Sequence, residues 1–114
     1  MNLSLASTTT AQSASLRVVG DLDYLTIDDL VDTASQLLAQ QVGLVNLHLD
    51  LSGLTFLDSA ALSGLILIHR RTTQSDVQLH LDHRPPFLDR VLRVTGLFPH
   101  FVSSESDAEA GNQT

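Results

Sequence analysis

The segment from Leu44 to Thr72 sets the terms for the rest of the chain. It begins with a strand-like run, Leu44 to Leu51, passes through a Ser52-Gly53 loop, and changes at Asp58-Ser59 to helical spacing that continues to Arg70 or Arg71. A strand, a loop and a helix in succession suit a small α/β layer structure. They also place one serine at the mouth of a helix.

In the helix read from Ala60, Leu62, Leu65, Ile66 and His69 recur at i, i+3, i+4 and i+7, an apolar stripe suited to lying on a sheet. Ser59 stands just before the first turn, where its hydroxyl can accept a hydrogen bond from the N–H of Ala61 or Leu62. That is ordinary N-capping. The same geometry supports a second reading, because a helix N-terminus is also a seat for an anion. Phosphorylation adds roughly −1.5 to −2 charge, which free N–H groups can accommodate without unfolding the domain. Beside Asp58 it would deepen a negative potential and repel a partner docked on the neutral face.

A chain of 114 residues is long enough for one core. Aromatic residues make up only 4%, so that core must be built from Leu, Val, Ile and Ala with four Phe. There is no cysteine, hence no disulfide framework, thiolate metal site or thiol redox chemistry, which is compatible with a reducing compartment. The longest apolar runs are too short to span a bilayer, and Met1 to Ala14 lacks the pattern of a signal peptide, so the sequence reads as a soluble, cytoplasmic protein. The formal charge is −7 and there is no lysine, which disfavours nucleic-acid wrapping and anionic membranes. Residues 1–59 hold seven Asp against Arg17, and residues 60–114 hold six acids against five Arg. A partner with a basic docking surface fits this bias, although negative charge also serves solubility.

In chain order, Asn2 to Ala6 reads as a short edge strand and Ser7 to Ala14 as a loop, with a better strand at Leu16 to Gly20, so the N-terminus forms a hairpin. Gly20-Asp21-Leu22-Asp23 ends that strand. Thr26 followed by Asp29 reads as a helix entrance of the capping-box kind, after which Ile27, Leu30, Val31, Ala34, Leu37 and Leu38 mark one face and Gly43 lies past the end. In the central strand Val45, Leu47, Leu49 and Leu51 share one face. Val77 to Leu81 alternates as a further strand, and Arg84-Pro85-Pro86 opens a third helix whose inward face is Phe87, Leu88, Val91, Leu92 and Thr95. Phe101-Val102 reads as a last short strand or a docked segment. Residues 1–102 are expected to form the domain and 103–114 a polar, flexible tail with at most a helical turn near Asp107 to Ala110.

This β-β-α-β-α-β-α order, with Gly20-Asp21-Leu22-Asp23, the run Leu47 to Ser59 and Arg93-Val94-Thr95-Gly96-Leu97, resembles the STAS domain of bacterial anti-sigma factor antagonists over roughly residues 15–102. The resemblance implies an α/β fold: a mixed sheet of four to five strands with three to four helices packed mainly on one face. It also implies partner switching. The antagonist binds an anti-sigma factor serine kinase, which phosphorylates the serine at the helix start and is thereby released, and a phosphatase reverses the step. Carried to this chain, Ser59 is the phospho-acceptor and Asp58 its preceding acid. Asp21, Asp23, Ala60, Ser63, Ile66 and Leu67 complete the contact patch. No cofactor, metal or enzymatic activity is implied, nor direct nucleic-acid binding or membrane insertion. Ala60-Ala61 departs from the Ser-Gly that commonly follows the acceptor.

Three alternatives stand beside this reading. A nucleophilic serine needs a base and an orienting acid, but there is no Gly-x-Ser-x-Gly elbow and His48, His69, His80, His83 and His100 are scattered. His80 and His83 with Asp82 make a weak metal case. A non-switching STAS scaffold, or a soluble docking module of a lipid transporter, would use the same helix face with Ser59 as a cap only.

Overall fold

A computed structural model describes residues 2–102 of the chain. The N-terminal hairpin consists of β1 (Leu3–Thr9) and β2 (Ser13–Leu22), both longer than their sequence patterns suggest. There follow α1 (Ile27–Gln40), β3 (Asn46–Leu57), α2 (Ser59–Gln74), β4 (Gln78–Asp82) and α3 (Pro86–Val94). Residues 98–102 are helical (α4). Phe101 and Val102 are buried in that helix, so they do not add a strand. Pro99 lies in its first turn, where a missing N–H costs no hydrogen bond. The expected turn at Asp107 to Ala110 lies outside the described residues.

The sheet order is β1-β2-β3-β4, antiparallel between β1 and β2 and parallel thereafter. One face is apolar: Ala14, Leu16 and Val18 of β2, Leu47, Leu49 and Leu51 of β3, and Leu79 and Leu81 of β4 are buried there with Leu30, Leu65, Ile68, Leu88 and Leu92 of the helices. The alternate residues, among them Ser15, Arg17, His48, Asp50, His80 and Asp82, lie half-buried or exposed on the other face. The helices thus share one side, as a period-two strand with one apolar edge requires. On the opposite side His48 stacks on His80, 4.3 Å between ring centroids, and His48 Nδ1 lies 2.8 Å from Asp82 Oδ2.

β3 does not stop at Leu51. The expected Ser52-Gly53 loop is instead an irregularity inside a longer strand: the Ser52 N–H donates to Asp50 Oδ1 at 3.0 Å, and the register with β2 shifts between Arg17 and Val19. That backbone donor, with the Ser52 hydroxyl, holds the Asp50 carboxyl below the usual carboxylate range. Gly53 lies so close to β2 that a Cβ there would meet Val19 Cγ2 at 2.9 Å. β4 pairs with β3 only from Asn46 to Asp50, so the rest of β3 is held by β2 alone, through pairs ending at Asp21↔Phe56 and Leu22↔Leu57.

The α2 stripe is rotated from the expected one. Ala61, Gly64, Leu65, Ile68 and Thr72 are buried, whereas Leu62, Ile66 and His69 are half-buried. The cause is α1, which packs on α2 with Ile27 and Val31 against Gly64. Val45 is 46% exposed, and Leu44 takes the buried position at the strand entrance.

Candidate functional site

Two chain segments meet at the far end of the β2–β3 pair: the β2–α1 turn, Asp21 to Thr26, and the β3–α2 junction, Phe56 to Ala60. Asp58 joins them. Its backbone is extended, φ −111° and ψ −177°, and its side chain turns back over the helix start. Oδ1 accepts the Ala61 N–H at 2.9 Å and Oδ2 accepts the Tyr24 N–H at 3.0 Å, while the Asp58 N–H donates to Leu22 O at 3.3 Å.

Asp58, not Ser59, is therefore the N-cap of α2, and Ser59 is its first residue. Asp caps as well as Ser does, and its charge gains further from the helix N-terminus. The consequence for Ser59 is direct. Its side chain is exposed and its hydroxyl makes no hydrogen bond to any described residue. The N–H groups of Ser59 and Ala60, in the first helical turn, have no acceptor within the helix.

The β2–α1 turn is built by Asp23 and Thr26. Asp23 Oδ1 accepts the N–H of Leu25 at 2.9 Å and of Thr26 at 3.2 Å, and the Asp23 N–H donates to Thr26 Oγ1 at 3.0 Å. The Thr26 hydroxyl donates to Asp21 O at 2.9 Å. Thr26 occupies the N-cap position of α1 without a capping side-chain bond, so the Thr26–Asp29 capping box does not form: its hydroxyl is committed to the turn behind it. Asp23 is 2% exposed, with Oδ2 buried and unpartnered. The expectation that Asp23 belongs to the contact patch is thus corrected: its carboxylate supports the turn from inside. Asp21 is half-buried and its Oδ1 accepts the Thr55 hydroxyl at 2.9 Å, which ties the turn to β3.

The rest of the patch divides cleanly. Ala60, Ile66 and Leu67 are half-buried and Ser63 is exposed along α2. Beside them stand three large side chains that sequence reasoning passed over: Tyr24, 69% exposed, Leu25, 61%, and Phe56, 46%. An aromatic and a leucine between Asp23 and Thr26 were the available signal, since nothing in a polar turn requires them. The histidines lie elsewhere, His48 and His80 on the open sheet face and His69 against His100 and Phe101. No cluster of metal-ligating side chains occurs among the described residues. No described helix is long and apolar enough to cross a membrane.

Comparison with known proteins agrees with this architecture. The chain is similar to the anti-sigma-B factor antagonist of Staphylococcus aureus, 25% identical over 97 residues that cover 85% of this chain and 88% of the relative. It superposes on an anti-sigma factor antagonist from Mycobacterium paratuberculosis with a TM-score of 0.75, at 22% identity over 88% of this chain and 83% of that one. The phosphorylated form of the Bacillus cell fate determinant SpoIIAA gives 0.67, at 19% identity over 86% of each chain. The family model described as "Mlab, STAS domain" matches residues 5–98. With its mixed four-stranded sheet, one-sided helices and helix-opening Asp-Ser, the chain belongs to the STAS domain family.

Proposed function

We propose that this STAS domain is an anti-sigma factor antagonist that binds an anti-sigma factor serine kinase and is released when that kinase phosphorylates Ser59. The carrying observation is the division of labour at the helix start: Asp58 holds the cap, which leaves the Ser59 hydroxyl exposed and unbonded. The Staphylococcus aureus relative bears the name of an anti-sigma-B factor antagonist, and the SpoIIAA structure is of a phosphorylated form. Both support the reading.

In this reading the kinase supplies ATP and the catalytic groups, and the antagonist supplies only an acceptor hydroxyl and a docking face. Tyr24, Leu25 and Phe56 form the apolar part of that face, with Ser63, Ile66 and Leu67 along α2 and Asp21, Asp58 and Ala60 at its border. A phosphate on Ser59 meets the free N–H groups of Ser59 and Ala60, so the fold persists. The same phosphate sits next to Asp58, whose carboxylate also holds the turn that carries Tyr24. Its charge and hydration oppose burial at the interface, and the partner leaves. A phosphatase resets the surface. The protein acts in the cytoplasm, where sigma factors and ATP are found.

The test uses wild type, Ser59→Ala and Ser59→Asp as baits in native extract, with bound proteins identified by mass spectrometry. A kinase-like anti-sigma factor retained by wild type and Ser59→Ala but lost from folded Ser59→Asp is the expected result. Retention of one partner by all three baits, or recovery of a transporter subunit, would overturn the switch in favour of a constitutive docking module.

A further inference from the structure

The two borders of the sheet are built differently. β4 is five residues long, carries Asp82 and His80, and is flanked by Asp76 and by His83-Arg84. Short length and charge are the usual means by which a free strand edge is kept from pairing with another chain. β1 has neither. It runs seven residues, Leu3–Thr9, and residues 1–16 contain no charged side chain and no proline.

Its backbone is also regular and available. The Asp21 N–H donates to Asn2 O and the Thr10 N–H donates to Ser13 O, both at 2.8 Å. Bonded pairs alternate along an antiparallel ladder, so the even-numbered residues of β1 bond to β2. Leu3, Leu5, Ser7 and Thr9 direct their N–H and C=O groups away from the sheet, and among the described residues β1 pairs with β2 alone.

We infer that β1 pairs antiparallel with β1 of a second copy of this chain, about a two-fold axis at Ala6, joining two sheets into one. The register follows from parity. A two-fold requires opposed positions to sum to a constant, and full overlap of the outward residues sets Leu3 opposite Thr9, Leu5 opposite Ser7, and Ala6 opposite itself. Every opposed pair is uncharged, so a chain of charge −7 meets its copy along a stretch where like charges do not face each other. Half-buried Leu3 and Leu5 lie on the helix side, where each faces a small hydroxyl side chain of the other copy, Thr9 or Ser7, across the joint. Because Asn2 abuts Asp21 and the paired strands run oppositely, the two Ser59 sites lie at opposite ends of the joined sheet. Neither is covered. One strand pair buries less than the roughly 1,600 Å² of a standard interface, so the dimer dissociates on dilution.

The test uses the full chain. Sedimentation velocity is expected to show mass doubling between about 10 μM and about 1 mM, with the transition moved to lower concentration by added salt, which screens the residual repulsion. Ser7→Pro removes an outward N–H and no internal bond, and is expected to shift the transition at least about tenfold upward. Since the chain has no cysteine, Ala6→Cys gives a direct readout: opposed Cα atoms at about 4.5 Å fit a disulfide. It should oxidise to a covalent dimer at least about tenfold faster than Val42→Cys, a control at a position 94% exposed. Equal oxidation rates with a wild type that stays monomeric to about 1 mM would overturn the inference. So would a dimer that survives Ser7→Pro unchanged, which places the contact elsewhere.

Discussion

The carboxylate of Asp58 holds the backbone N–H of Tyr24 at 3.0 Å across thirty-four positions of chain, while its other oxygen caps α2 at Ala61. One side chain therefore fixes the helix that presents Ser59 and the turn that presents Tyr24 and Leu25. Under the proposed function, the docking face and the acceptor serine are positioned together.

Asp58→Ala is expected to lose both restraints. Removal of the cap costs about 1 kcal/mol, and the charge-assisted bond to Tyr24 adds about 1–1.5 kcal/mol. Urea unfolding should register a loss near 2 kcal/mol, with faster amide exchange at Tyr24 and Ala61. A variant with wild-type exchange at Tyr24 would show that the turn stands without Asp58.

Ser59→Ala is expected to change stability by less than about 0.5 kcal/mol, because the hydroxyl bonds to no described residue and alanine is a good helix former. Thermal unfolding beside Asp58→Ala distinguishes the two residues. A loss of 1 kcal/mol or more, about that of a cap, would return the capping role to Ser59.

Gly64→Ala separates propensity from packing. Alanine gains about 1 kcal/mol as a helix former, yet its Cβ would fall on Ile27 Cγ1 and Cδ1 where α1 crosses α2. Overpacking of about 1–3 kcal/mol should win. A double-mutant cycle with Ile27→Ala is expected to recover most of the loss, and additivity of the two changes would refute the clash.

Acid should weaken the fold through His69. Burial first, then the neighbouring His100, hold its pKa below the usual imidazole value of about 6.5. Its surroundings on α2 and α4, Ile66, Arg70, Thr73, Gln74 and His100, include two basic groups and no carboxylate. The unfolded chain therefore binds the proton first, and stability falls as pH drops through about 6.5 toward the lower folded value, below which this contribution is flat. His69→Gln should flatten the profile of unfolding free energy in that window. An unchanged slope would assign the acid sensitivity to other groups.

Tyr24→Ser and Phe56→Ser test the apolar anchors. Both side chains are exposed, so stability should move by under about 0.5 kcal/mol. Partner capture should weaken at least about tenfold if they are interface hot spots. Calorimetry against the recovered partner measures both effects.

The element order was legible because strand alternation and helical spacing survive in a chain with few exceptions to either. The Asp58-Ser59 junction was legible for the same reason. Its internal assignment was not. Asp and Ser cap equally well, and only the extended backbone at Asp58 decides which of them lies outside the helix. Gly53 reads as a break because glycine disfavours strands in isolation, whereas here it admits a close β2–β3 approach at a bulge. Gly64 carries no hydrophobic signal, so the pattern could not reveal that α2 turns this residue toward α1. Asp23 looked like surface because Asp usually is, and its burial depends on a turn whose bonds come from four neighbouring backbone and hydroxyl groups.

Beyond Asp50, β3 has left β4 behind and runs on against β2 alone to Leu57. The sheet there is three strands wide rather than four, since β1 still flanks β2 as far as Asp21, and only the Leu22–Leu57 pair runs past it. Lengthening β2 and β3 by two residues each would preserve the alternation of faces and carry the Tyr24 turn and the Asp58-Ser59 junction outward by about 7 Å, with the four-stranded region beneath undisturbed. Domains built this way can be tuned to their partners by reach as well as by side chain.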